Sequence, residues 1–135
     1  MDIETLRSYL QISPYIRFMN ATIESVDLEA QELTMKMPMR PEFERGAGSG
    51  QFHGGPIAAL IDTAGDFAVI AMINKPVPTA NFRVDYLRPA TGAHLLARAK
   101  VRRIGRTLGV VDIDVFDDQK RLCAVGRGCY GTSSD

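Results

Sequence analysis

The chain has 135 residues, 45% of them hydrophobic and 24% charged, which suits one domain with a packed core spanning residues 1–135. Sixteen Lys and Arg balance sixteen Asp and Glu to a formal net charge of zero, a balance that argues against nucleic acid or an anionic membrane as the main partner. Met1-Asp2-Ile3-Glu4 lacks the basic and apolar regions of a signal peptide. Cys123 and Cys129 lie on one expected strand, six residues and roughly 20 Å apart, too far for a disulfide. Reduced thiols and no export signal predict a cytoplasmic protein.

Asp2 is placed to cap a short helix over residues 3–11, with Glu4 in its first turn. Ser13-Pro14 restarts a helical turn that runs to Asn20. Residues 21–29 read as a weakly patterned strand. Leu33, Met35, Met37 and Met39 then alternate with Thr34 and Lys36, and Glu29-Ala30 makes the hairpin turn. Residues 40–52 are loop, with Gly46, Gly48 and Gly50 allowing sharp bends. His53-Gly54-Gly55-Pro56 opens a long helix that ends near Asn74, and Pro56 fits the first turn, where its missing N–H costs nothing.

The remainder alternates as strands. Phe82, Val84 and Tyr86 oppose Asn81, Arg83 and Asp85. Leu95, Ala97, Ala99 and Val101 oppose His94, Arg98 and Lys100, and Val111, Ile113 and Val115 oppose Asp112 and Asp114. A last strand covers 122–130, with turns at Ile104-Gly105-Arg106 and Asp117-Asp118-Gln119. Meandering strands imply an antiparallel sheet. The helix over 57–73 is apolar around most of its circumference and must be buried on most sides. An α+β domain, a sheet wrapped around one central helix, meets that need. Asp62 and Asp66 within this stretch argue against a membrane span.

Asp62 and Asp66 are four residues apart and share one helix face with Ala59, Val69 and Ile73. Buried carboxylates without partners are costly, so the stripe meets either a polar gap, a subunit boundary or a reacting group. His53-Gly54-Gly55 leaves backbone N–H groups at a helix N-terminus, suited to a developing oxyanion; a plain tight turn is the simpler reading of Gly-Gly alone.

Gly50-Gln51-Phe52-His53-Gly54-Gly55, followed by Leu60-Ile61-Asp62 and Ala68, resembles the hotdog-fold thioesterases of the PaaI (phenylacetate-degradation) type, with nine positions between His53 and Asp62. The segment from Val84 to Ala90 and the hairpin around residues 103–118 extend the resemblance, which covers about 20–131 and leaves 1–19 as an N-terminal helical segment. It implies a five- or six-stranded antiparallel sheet around the helix. It also implies a homodimer, often paired into a homotetramer, with sites between subunits.

Carried over, Asp62 is the general base or nucleophile, the Gly54 N–H polarises the thioester carbonyl, and Thr79 sits where relatives carry a Ser or Thr that positions water. His53 shapes the turn more than it transfers protons, and His53, Gly55, Gln51 and Asp66 are the expected substrate-binding residues. The implied substrate is an acyl-CoA, and no cofactor beyond the CoA of the substrate is implied. The chain departs from the pattern at Ala47, six residues before His53, where relatives carry Asn or Gln; Gln51 or Ser49 stands nearby as a substitute. Asp66 also departs, standing where relatives carry Thr or a small residue, and reads as a second acid, a water ligand or an interface residue.

Two His and two Cys form no metal-ligand spacing, and Gly46-Ala47-Gly48-Ser49-Gly50 lacks the Gly-Lys-Ser/Thr of a phosphate loop. Arg102, Arg103 and Arg106 fit either a solvated turn or a CoA phosphate contact. Three functions compete: an acyl-CoA thioesterase, a non-catalytic binder of acyl or aromatic ligands, and a hydratase. The last is disfavoured because no His follows Asp62 before His94.

Overall fold

The computed structural model describes residues 1–134. Two short helices come first, α1 (Ile3–Tyr9) and α2 (Pro14–Met19). The Asp2 carboxylate caps α1 by accepting from the Thr5 N–H at 2.8 Å. Ser13 caps α2 through its hydroxyl, with Pro14 in the first turn. α1 stops two residues before the expected Gln11, because Ser13 precedes a proline and is driven to extended backbone. Asn20 closes α2 in the left-handed conformation, φ 56°.

Six strands follow: β1 (Thr22–Asp27), β2 (Glu32–Pro38), β3 (Thr79–Tyr86), β4 (His94–Ile104), β5 (Leu108–Asp117) and β6 (Leu122–Gly131). They form one antiparallel sheet in the order β1-β2-β4-β5-β6-β3. The long helix α3 (Gly54–Ile73) lies between β2 and β3 in sequence and packs on β2, β3, β4, β5 and β6. The alternation read from the sequence sets the faces. Leu33, Met35, Met37, Leu95, Ala97, Ala99, Val111, Ile113 and Val115 point at α3 and are fully or almost fully buried. The result is the hotdog arrangement, a sheet wrapped around one helix.

Among the described residues, α3 is the one helix long and apolar enough to cross a bilayer, yet most of it is buried against the sheet, as a core helix is. Its burial is less complete than the sequence suggests. Ile57, Leu60, Ile61, Ala64, Phe67, Ala68 and Val69 are buried, while Ala59, Asp62, Thr63 and Asp66 are half-buried along one stripe. Val69, expected on that stripe, is instead buried in the core.

β3 departs more. Its alternation predicts one covered face, but the strand lies at the sheet edge and almost every residue in it is exposed, with Phe82, Tyr86 and, just beyond the strand, Leu87 showing large apolar surfaces. An open edge with exposed aromatics is a template for pairing with another chain.

Gly65 stands in mid-helix, where glycine weakens a helix. The close approach of Tyr130 explains it: a Cβ at Gly65, or at Gly128 beside it on β6, would collide with the Tyr130 hydroxyl. The fully buried Tyr130 thereby reaches the backbone of α3, and its hydroxyl donates to the Asp62 carbonyl at 3.0 Å. Cys123 and Cys129 lie on β6 as free thiols.

Candidate active site

The site is built on α3 from its N-terminus. His53 caps the helix, its Nδ1 accepting from the Gly55 N–H at 3.3 Å. Gly55 therefore serves the cap, and Gly54 is the residue at the helix mouth. The Gly54 carbonyl accepts from the Tyr86 hydroxyl at 2.7 Å, which ties the helix start to the end of β3. Around this turn lies an open cavity of about 530 Å³, walled by Gln51, His53, Gly54, Ile57 and Tyr86 and carrying the cations Arg45 and Arg88.

The preceding loop is held by Glu44, whose carboxylate accepts from the Gly48 and Gly50 N–H groups at 3.1 and 2.7 Å. Both glycines adopt positive φ, 77° and 67°. Ala47 sits exposed in this loop, away from the cavity that Gln51 lines. The Ser49 hydroxyl is used within the loop, accepting from the Gln51 N–H at 3.2 Å.

Asp62 lies eight residues beyond Gly54, about 12 Å further along the helix axis. The Thr79 hydroxyl, at the first residue of β3, donates to Asp62 Oδ1 at 2.8 Å. Burial raises the Asp62 carboxyl above its ordinary range, and the Thr79 hydrogen bond partly offsets this. One turn on, Asp66 is pushed up to about 7 by burial and then by the Asp62 charge. The two carboxyls share a cavity of about 260 Å³ whose other walls are Tyr15, Ile16, Thr63 and Phe67. The wall from Tyr15 and Ile16 comes from α2, so the N-terminal helices cover one side of this cavity.

The expected residues thus fall into two groups. Gln51, His53 and Gly54 line one cavity, with Gly55 at the cap; Asp62 and Asp66 line another, with Thr79 bonded to Asp62. Tyr15, Ile16, Phe67 and Tyr86 were missed by the sequence reading, since nothing in their local pattern separates a site aromatic from a core one. Arg45 and Arg88 were missed as well, and the Arg102 considered for phosphates lies elsewhere, 3.6 Å from Asp112. That pair borders a larger cavity of about 650 Å³ on the outer face of the sheet. Most of the cations there are paired; Arg127, for example, makes a bidentate pair with Asp112 at 2.7 and 3.0 Å. Among the described residues, no three His, Cys, Asp or Glu side chains are grouped to hold a metal ion.

A sheet-wrapped helix with paired carboxyls on its open stripe and a capped glycine mouth defines a hotdog-fold domain. The chain belongs to the Thioesterase superfamily, whose family profile matches residues 49–124. A Halobacterium salinarum protein that carries an esterase name is 36% identical over 141 residues, covering 96% of this chain and 91% of that protein. The Escherichia coli acyl-coenzyme A thioesterase PaaI is 38% identical over 77 residues, covering 56% of this chain and 54% of its own. Among solved structures, a thioesterase-superfamily protein superposes with a TM-score of 0.89 at 30% identity, covering 96% of each chain.

Proposed function

We propose that this thioesterase-superfamily protein hydrolyses an acyl-CoA to the free acid and CoA, with Asp62 as general base or nucleophile. The observation that carries the reading is the Asp62 carboxylate: partly desolvated, held by the Thr79 hydroxyl at 2.8 Å, and facing a cavity walled in part by Tyr15, Ile16 and Phe67. A desolvated carboxylate is a stronger base than a solvated one, and a hydrogen bond to one oxygen leaves the other aimed at water or at the carbonyl carbon. The similarity to an acyl-coenzyme A thioesterase supports CoA as the thiol. Arg45 and Arg88 beside the Gly54 turn are suited to the CoA phosphates.

The complete site belongs to a homodimer. The Gly54 N–H, which would polarise the carbonyl, and the Asp62 carboxylate are about 12 Å apart along one helix, too far to act on one thioester within a chain. Pairing of two β3 edges supplies each Asp62 with a Gly54 from the other subunit and covers Phe82 and Leu87. The acyl group then lies against Tyr15, Ile16 and Phe67. The acyl group of this reading is small, medium-chain or aromatic.

A panel of acyl-CoAs with free-thiol detection tests the reading. Release of thiol from compact acyl-CoAs, falling off for long chains, is the expected result. Saturable binding without release would favour the second reading, a non-catalytic acyl or aromatic ligand binder, which the departure at Ala47 motivates.

A further inference from the structure

Building on the thioesterase reading, we infer that Asp66 is the general acid of the site: it gives its proton to the departing thiolate sulfur while Asp62 takes a proton from the attacking water. Asp62 and Asp66 are four residues apart on α3, so their Cβ atoms stand about 5–6 Å apart on one face. Both line the same cavity of about 260 Å³. That spacing lets one carboxyl serve the incoming oxygen and the other the outgoing sulfur of a single carbonyl carbon.

The surroundings divide the two roles. Thr79 donates to Asp62, and the Asp62 backbone is fixed by Tyr130. Asp66 has no hydrogen-bond or ion-pair partner among the described residues and is the more deeply buried carboxyl. The titratable groups facing Asp66 are Asp62 on its own helix, Tyr15 from α2 and Tyr130 from β6. No cation lines that cavity among the described residues. With no cation lining the cavity, the proton that the pair holds below about pH 7 rests on Asp66, whose carboxyl is raised to about 7 by burial and by the Asp62 charge. Two carboxyls whose environments push their proton affinities apart form an acid and a base.

The step balances. The water oxygen bonds to the carbonyl carbon as Asp62 takes a water proton. The C–S bond then breaks with its electron pair going to sulfur, and the Asp66 proton follows. The departing thiolate is the conjugate base of a weaker acid than a carboxyl near 7, so it accepts this proton readily. Asp62 is left protonated and Asp66 ionised, and one proton passing between them restores the site.

The experiment compares the CoA ester and the thiophenol ester of the best acyl group, with wild type and Asp66→Asn, from pH 5.5 to 8.5. Thiophenolate leaves without a proton, so Asp66→Asn should lower CoA-ester turnover at pH 6 at least about 30-fold and thiophenol-ester turnover less than about 3-fold. The wild-type CoA-ester rate should fall above about pH 7, and this limb should vanish in the variant. Equal losses on both esters, or an alkaline limb that persists in Asp66→Asn, would overturn the proposal. Carbon-13 carboxyl NMR of the wild type adds a readout free of turnover: an Asp66 signal that does not titrate near pH 7 also overturns it. Should neither ester be hydrolysed by wild type while Asp66 titrates near 7, the thioesterase reading fails and the one-proton pair stands.

Discussion

The Thr79 hydroxyl donates to Asp62 Oδ1 at 2.8 Å across 17 residues of sequence, joining the edge strand β3 to the central helix α3. This bond both aims the carboxylate and stabilises its charge. Thr79→Val keeps the shape and removes the donor. The Asp62 carboxyl then rises further, because the interaction that lowers it is gone. Turnover should fall about tenfold or more, and the acid limb of the pH–rate profile, which reports ionisation of Asp62, should move to higher pH. Thr79→Ser should restore both. A Thr79→Val profile superimposable on wild type would show that the bond has no part in the reaction.

The raised Asp66 carboxyl has a stability consequence of definite sign. Its folded value, about 7, lies above the ordinary 3.8, so folding favours the protonated form. The stability this group contributes is present in full below about pH 4 and is lost as pH rises through 7. The loss is at most about 4 kcal/mol, at about 1.4 kcal/mol per pKa unit. Asp66→Asn removes the group, so it should stabilise the protein at pH 8 relative to wild type and do little at pH 4. Urea unfolding at both pH values and fixed protein concentration checks this; an equal effect at the two values contradicts it.

Gly65 and Tyr130 form the packing junction under Asp62. Gly65→Ala places a methyl group against the Tyr130 hydroxyl and should cost about 3 kcal/mol. Tyr130→Phe only removes the hydrogen bond to the Asp62 carbonyl and should cost about 1 kcal/mol. Thermal unfolding of the two variants should therefore rank Gly65→Ala well below Tyr130→Phe. The reverse order would mean that the ring does not occupy that gap.

The edge strand carries the prediction of a shared site. Phe82 is exposed and stands clear of both cavities. Phe82→Lys should shift a dimer toward monomer in light scattering, with activity lost in proportion to dissociation. Mixing Asp62→Asn chains with chains altered at Gly54, each inactive alone, should restore part of the activity through hybrid sites. A fully active wild-type monomer would remove the basis for the shared site.

Much of this architecture is legible in the sequence because local signals agree with the fold. The alternation of Leu33, Met35 and Met37 fixes the inner face of β2, and Ser13-Pro14 and His53-Gly54-Gly55-Pro56 mark true helix starts. The spacing of His53, Asp62 and Asp66 places all three on the central helix or its cap. Other features are set by tertiary placement, which the local pattern does not encode. β3 alternates like a half-covered strand, but its place at the edge leaves both faces open. Tyr86 reaches the Gly54 carbonyl from 32 residues away, and Tyr15 lines the Asp62 cavity only because α2 folds back over it. Glu44 holds the glycine loop through backbone N–H groups, a role that side-chain patterning does not reveal.

The role of Asp62 is tested by the turnover of Asp62→Asn on the best acyl-CoA, measured by thiol release beside wild type at the same pH. Asn is nearly isosteric and can still accept from Thr79, so the fold and the cavity should persist, as circular dichroism and unchanged oligomeric state would verify. kcat should fall at least about a hundredfold, the scale of a lost general base. Near-wild-type turnover by a well-folded Asp62→Asn protein would contradict that role.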